Sequence, residues 1–246
     1  MRALRILLIV VVVLGGLFVA ADRLAVNFAE GEVADRLKAQ ENLDTAPDVS
    51  INGFPFLTQV VGGELDDVEV TMDGYEATAG GDGTETVRID DLRAHMRGVE
   101  FSGDYSSATA ATASGTATVS YAELLKAAGS EPAQIAPGVT AGIVGLSDGG
   151  NGKIDVALEA TVLGTKLPEP VHVLSSVTVE DNKVGVSADS LPVFGSVKVT
   201  DAQIRQITDF QQAIDELPGG IQLDKVEAAK DGVEITVTGS DVRLAG

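Results

Sequence analysis

The sequence predicts an α+β fold, a long, curved antiparallel sheet wrapped partly around helices and placed after an N-terminal signal or anchor helix. Three observations predict it. Most of the chain breaks into short segments of alternating apolar residues separated by Gly, Asp and Asn turns, the pattern of antiparallel strands. Val, Ala, Thr and Gly dominate, aromatics stand at 4% and tryptophan is absent, which suits sheets with close backbone approaches and disfavours a helix-only architecture. Stretches with helical spacing and capping residues interrupt the strands, giving the order helix, strands, short helix, strands, long helix, hairpin.

At the N-terminus, Arg2 and Arg5 precede an unbroken apolar run from Ile6 to Ala21, which Asp22 and Arg23 end. At 1.5 Å per residue the run reaches about 24 Å against a hydrocarbon core of roughly 30 Å. A signal anchor in a slightly thinned bilayer and a signal peptide cut after Ala21 both fit that length. In either case the basic flank stays cytoplasmic and the rest of the chain lies outside, exported to the cell envelope or periplasmic space. The chain therefore divides into 1–21, signal peptide or anchor; 22–46, amphipathic helix and connector; and 47–246, the α+β domain. Within the connector, Leu24, Phe28, Val33 and Leu37 recur near helical spacing and predict a face that docks on the domain. Acids rather than lysines on its polar face argue against a helix lying on the membrane surface.

After Ala46-Pro47 the strands begin. Val49 and Ile51 alternate, and Leu65, Val68, Val70 and Met72 lead into the turn pair Asp73-Gly74. Beyond the loop Gly80-Gly81-Asp82-Gly83, Val87, Ile89 and Leu92 reopen a strand whose slipped alternation at Asp90-Asp91 marks a bulge. The small, polar stretch Ala108–Thr118 reads as an exposed or edge strand. Ser120 and Glu123 form a capping box before Leu124, Leu125 and Ala128, with Gly129 as the stop. Ser147–Gly152 is a turn, and Ile154, Val156, Leu158 and Ala160 then alternate as a strand with one wet face. Val171 to Val186 reads as a hairpin turning at Glu180-Asp181-Asn182. Thr200 and Gln203 make a second capping box, and Ile204, Ile207, Phe210, Ile214 and Leu217 follow at helical spacing up to Pro218-Gly219-Gly220. Leu223–Ala228 and Val233–Thr238 form the last hairpin, turning at Asp231-Gly232.

Composition excludes several function classes. A formal net charge of −20, from 37 acids against 17 Lys and Arg, denies a nucleic acid the basic face it needs and disfavours adsorption to anionic lipid surfaces. Without cysteine there are no disulfides, thiolate nucleophiles or thiolate metal sites. His95 and His172 are each lone in strand-like context, read as surface or hydrogen-bonded histidines rather than metal ligands. No nucleophile elbow, phosphate loop or dinucleotide fingerprint is present, and the Asp148–Glu159 run has glycines where a calcium loop needs oxygen ligands. Neither a catalytic residue nor a cofactor is predicted, and an enzyme would require two sequence-distant carboxylates to meet in a cleft.

The most distinctive stretch is Ile51–Val70. Pro55 fixes its own φ, removes a backbone donor and holds Phe54 extended, so the chain must bend or follow an edge here. Phe54 and Phe56 beside Leu57 and Val60 would form an aggregation-prone patch if exposed. They are either a core anchor under a kinked strand or part of the lining of an apolar groove.

A strand, Gly53-Phe54-Pro55-Phe56-Leu57-Thr58-Gln59, the pair Gly62-Gly63 and a second strand together resemble the signature of the LmeA-like family, the lipomannan elongation factor family of exported, phospholipid-binding actinobacterial proteins. Ser120-Tyr121-Ala122-Glu123-Leu124, Leu191-Pro192 and Leu217-Pro218-Gly219-Gly220 also resemble its landmarks, so the resemblance spans roughly Ala21 to Leu244. The family is similar to the tubular lipid-binding superfamily, whose curled sheet leaves an apolar channel. The resemblance implies a phospholipid partner, phosphatidylinositol or a mannosylated relative, at the membrane, and a part in lipoglycan assembly without catalysis. With a lipid ligand, the acyl chains are expected in an apolar groove lined by residues among Phe54, Pro55, Phe56, Leu57, Val60, Phe101, Leu163 and Phe194. The alternative is a membrane-anchored envelope scaffold that carries no lipid, its protein partner unspecified.

Overall fold

The computed structural model describes residues 2–40, 42–79, 85–104, 107–128, 132–180, 183–189, 210–213 and 218–245. The apolar run and the connector form one uninterrupted helix, α1, Arg2–Gln40. No proline interrupts it, and it ends where Asn42 adopts a left-handed φ of 53° and the Leu43 N–H closes back on Lys38 O at 2.9 Å. That is the Schellman closure, with asparagine at the position that must tolerate positive φ. Its first half touches nothing: Leu7, Val12 and Leu17 are each about three-fifths exposed. It is long and apolar enough to cross a membrane.

Two seven-stranded antiparallel sheets follow. The first is ordered β1 (Asp48–Asn52), β2 (Glu64–Met72), β4 (Glu85–Phe101), β5 (Ala108–Ser120), β14 (Gly232–Ala245) and β13 (Ile221–Ala228), with β3 (Tyr75–Ala79) paired to β4. The second is ordered β12 (Phe210–Ala213), β11 (Lys183–Ala188), β10 (Val171–Glu180), β8 (Lys153–Val162), β7 (Val139–Gly150) and β6 (Ala133–Ala136), with β9 (Thr165–Lys166) on β8. The C-terminal hairpin thus returns to the first sheet, and this non-local pairing ties the two halves together.

Two cores result. In one, alternate residues of β8 (Ile154, Val156, Leu158 and Ala160) pack with Val139, Val173 and the β13–β14 residues Leu223, Val226 and Val233. In the other, the first sheet curls under the second half of α1, burying Val26 against Val49, Ile51, Leu65, Val70, Val99, Ala110 and Val242. Short α3 (Tyr121–Ala128) bridges the sheets, its start capped by the predicted Ser120, whose Oγ accepts the Glu123 N–H at 3.4 Å. The Tyr121 hydroxyl donates to Ala229 O at 2.7 Å, fastening α3 to the last hairpin.

Several expected local features stand as read. β4 breaks register between Asp90 and Arg93, where Asp91 takes a φ of 50°, so the slipped alternation is a bulge. His95 and His172 are each hydrogen-bonded to an aspartate, Asp67 and Asp155. Four readings need correction. The Phe54–Phe56 kink is not under a bent strand: Phe56–Gly62 forms a short helix, α2, because Pro55 withdraws the donor a ladder needs while serving well before a first helical turn. Ala108–Thr118 is not at an edge: β5 lies between β4 and β14, with Ala108, Ala110 and Ala113 packed in the core and Thr112 and Ser114 exposed. Of the expected docking stripe of α1, Leu24, Phe28, Val33 and Leu37, only Leu37 packs on the domain. Leu24 and Phe28 are 72% and 75% exposed, and the helix docks through Asp22, Ala25, Val26, Ala29, Ala34 and Leu37, because small residues allow the backbone to approach the sheet. Finally, of the long helix read over 200–217, Phe210–Ala213 is strand β12, completing the open ladder of β11; the remainder lies outside the described residues.

Candidate functional site

The junction between α1 and α2 is organised by Asp22, the first charge after the apolar run. Its side chain is fully buried; Oδ1 accepts the Leu57 N–H at 2.8 Å and Oδ2 pairs with Arg23 at 2.8 Å. A carboxylate is well placed at the positive end of a helix, and here it clamps α2 to α1 at the depth where the apolar run stops. The Arg23 guanidinium lies 5.3 Å from the Phe54 ring centroid, a cation–π contact at the same level. Gly53, with a φ of 100°, makes the approach possible: a Cβ there would lie 2.5 Å from the Gln59 side chain. The other end of α2 closes on Gly63 (φ 78°), whose carbonyl accepts the Phe101 N–H at 2.9 Å and so ties α2 to β4. Glu30, two turns further along α1, accepts the Ile51 N–H at 2.9 Å and covers the outer edge of the sheet.

Beside this frame lies the apolar inner face of the first sheet. Val68, Met72, Ala94, Met96, Phe101, Ala113 and Ile221 are half-buried on the inner face of the first sheet and pack against the core cluster that Val26 of α1 joins. Leu57 and Val60 of α2 close one end. A separate hollow of about 450 Å³, with Glu64 and Glu100 in its lining, opens beside Phe101 between Val61–Gly63 and Ser102-Gly103.

The expected site residues separate into groups. Phe56, Leu57, Val60 and Phe101 come together in the core under α1, with Phe56 buried and the other three half-buried. Phe54 and Pro55 sit at the rim, Phe54 55% exposed. Leu163 is not brought to them: it occupies the β8–β9 turn of the second sheet, 75% exposed with a φ of 51°. Phe194 lies outside the described residues. Sequence reasoning passed over Asp22 and the Ala94/Met96 pair. The alternation of Arg93, His95 and Arg97 with Ala94 and Met96 carried the signal for the latter.

On the outer face, Asp67 accepts Asn52 Nδ2 at 2.9 Å and bonds His95 Nε2 at 2.5 Å, with Arg97 Nε 3.5 Å away. Burial alone would raise its pKa, but the bonds from Asn52 and His95 and the Arg97 charge outweigh it and hold the carboxyl below the ordinary range. A folded-state value below the unfolded one contributes stability above about pH 4 that is lost as pH falls through the folded value. Asp67→Asn is expected to flatten that acid limb; urea midpoints measured from about pH 5 down to about pH 3 check it, and an unchanged slope would remove Asp67 as a contributor.

A long apolar N-terminal helix, compatible with a signal or anchor, joined to a curled antiparallel sheet with a half-buried apolar face defines the class of this α+β protein. The chain belongs to the LmeA-like phospholipid-binding family, whose sequence profile matches residues 20–238, and lipid binding follows from that membership. No curated protein and no solved structure gives a significant match.

Proposed function

We propose that this chain is an exported cell-envelope protein, held to the cytoplasmic membrane by residues 6–21, which shelters phospholipid acyl chains in a trough between α1 and the first sheet. Residues 47–246 form the lipid-binding unit and 22–46 close it from above. The half-buried apolar face of the first sheet, packed against the same cluster as Val26 of α1, carries this reading. A fourteen-carbon chain leaving a bilayer requires on the order of 10 kcal/mol of apolar shelter, which only a concave, largely preformed surface supplies. The role is binding rather than catalysis, in support of lipoglycan assembly, with a phosphatidylinositol-type lipid as the candidate cargo. Native mass spectrometry of the full chain, purified from a membrane-rich host and followed by lipid extraction, tests it. Copurifying phospholipid at near one per chain supports a carrier; a lipid-free folded chain with one stoichiometric protein partner in crosslinking favours the scaffold.

The same reading sets the domain's depth. Along α1, Leu24 lies about 4.5 Å beyond Ala21, within the roughly 5–7 Å that the headgroup region adds on each side of the hydrocarbon. Phe54, stacked on Arg23, shares that level. The natural chain has no tryptophan, so Phe54→Trp or Leu24→Trp gives a single-fluorophore reporter. Lipids brominated near the headgroup are expected to quench both reporters in reconstituted bilayers, and to leave Val144→Trp, exposed on the second sheet, unquenched. Equal quenching at all three sites would refute the orientation.

A further inference from the structure

The first sheet carries a second cavity, of about 580 Å³, on the face turned away from the trough. His95 and Arg97 line it and alternate along β4 with Ala94 and Met96 of the trough, so the two sets point to opposite faces. Strand pairing aligns its walls in rows. Arg97 stands opposite Thr112, and Thr112 opposite Ser240. His95 stands opposite Ser114, Ser114 opposite Thr238, and Thr238 opposite Gln222. At about 4.8 Å between neighbouring strands, the longer row spans roughly 14 Å. Just beyond the shorter row the backbone coils at Gly98 (φ 58°) and Asp241 (φ 53°), and Gly220 leaves floor space that no side chain fills.

The chemistry along the rows is graded. Both cationic side chains come from β4; hydroxyls and an amide follow on β5, β14 and β13. No carboxylate lines the cavity among the described residues, although acids outnumber Lys and Arg by 37 to 17 in the chain. From outside the cavity Asp67 bonds His95 and pairs with Arg97 Nε at 3.5 Å. The Arg97 guanidinium offers five N–H donors, and the Asp67 contact engages Nε, leaving the planar fork for a second acceptor. One end of the groove therefore suits a multi-oxygen anion, and the remainder suits a body rich in hydroxyl groups, each able to donate and accept.

We propose that this groove binds a phosphorylated polyol, its oxyanion held by Arg97 and His95 and its hydroxyls by Ser114, Thr238 and Gln222. The site is independent of the apolar trough and stands whether or not the trough holds lipid. Isothermal titration of the full chain in detergent micelles, with glycerol phosphate, inorganic phosphate and glycerol as probes, tests it. Glycerol phosphate is expected to bind more tightly than inorganic phosphate, and glycerol not at all. Arg97→Met should weaken glycerol phosphate at least tenfold by removing charge-assisted hydrogen bonds, and Thr238→Val should weaken it several-fold. Arg36→Met, which breaks an exposed pair with Glu32 on α1, should change nothing. Anionic phospholipid nanodiscs separate the two sources of this chemistry: competition identifies a lipid headgroup as the ligand, and its absence identifies a soluble phosphate ester. A folded chain that ignores glycerol phosphate at millimolar concentration, or binds it equally well after Arg97→Met, overturns the proposal.

Discussion

Phe56→Ala is expected to lower the unfolding free energy by about 3–5 kcal/mol, while Phe54→Ala, two residues away, changes it by no more than about 1 kcal/mol. Phe56 is 6% exposed and packs in one cluster with Val26, Val49 and Ile51, so its loss leaves a cavity where α1, α2 and β1 converge. Phe54 is 55% exposed, and its described ring contact is with Arg23. Urea unfolding followed by circular dichroism, on the chain in detergent, reads both. Equal losses at the two positions would mean that Phe54 is a core residue and that the rim assignment fails. The Phe54 variant should instead show its effect in the bilayer, as a chain less firmly seated at the headgroup level.

Met96→Asp is expected to strip copurifying phospholipid from the chain by at least tenfold while leaving cooperative unfolding in place. Met96 is half-buried on the inner face, paired across the sheet with Val68 and Ala113. In the empty trough a carboxylate there still reaches water. Once acyl chains fill the trough, the charge is left unpaired in apolar surroundings at a cost of several kcal/mol, and each 1.4 kcal/mol is tenfold in affinity. Met96→Leu conserves volume and apolarity and should retain lipid. Native mass spectrometry with lipid extraction decides between them: a folded Met96→Asp chain carrying the usual lipid would move the binding surface away from the first sheet.

The elements that were legible in the sequence are those whose signal is local. The β8 alternation, the Ser120 cap, the Asp90-Asp91 bulge and the last hairpin each declare themselves within a few residues, because pleat, cap and turn are properties of neighbouring backbone. The apolar run of α1 is equally local, and so is the incompatibility of Pro55 with a ladder. Where the reading failed, the deciding partner was distant in sequence. Leu24 and Phe28 are larger than the residues beside them, yet helix docking rewards closeness, and Ala25, Val26 and Ala29 on the adjoining face win. Phe210–Ala213 carries a helical period but meets the unpaired edge of β11.

By itself, the sequence determined that this is an acidic, cysteine-free α+β protein with an apolar N-terminal run of signal or anchor type, and that the chain must bend or follow an edge at Pro55. Only the tertiary structure decided which phenylalanine of that bend is core and which is rim, and which face of β4 is trough and which is polar groove. Hydrophobicity and period say that a residue can be buried. What buries it is a surface supplied by residues far along the chain, as Asp22 does for α2 and the C-terminal hairpin does for both sheets.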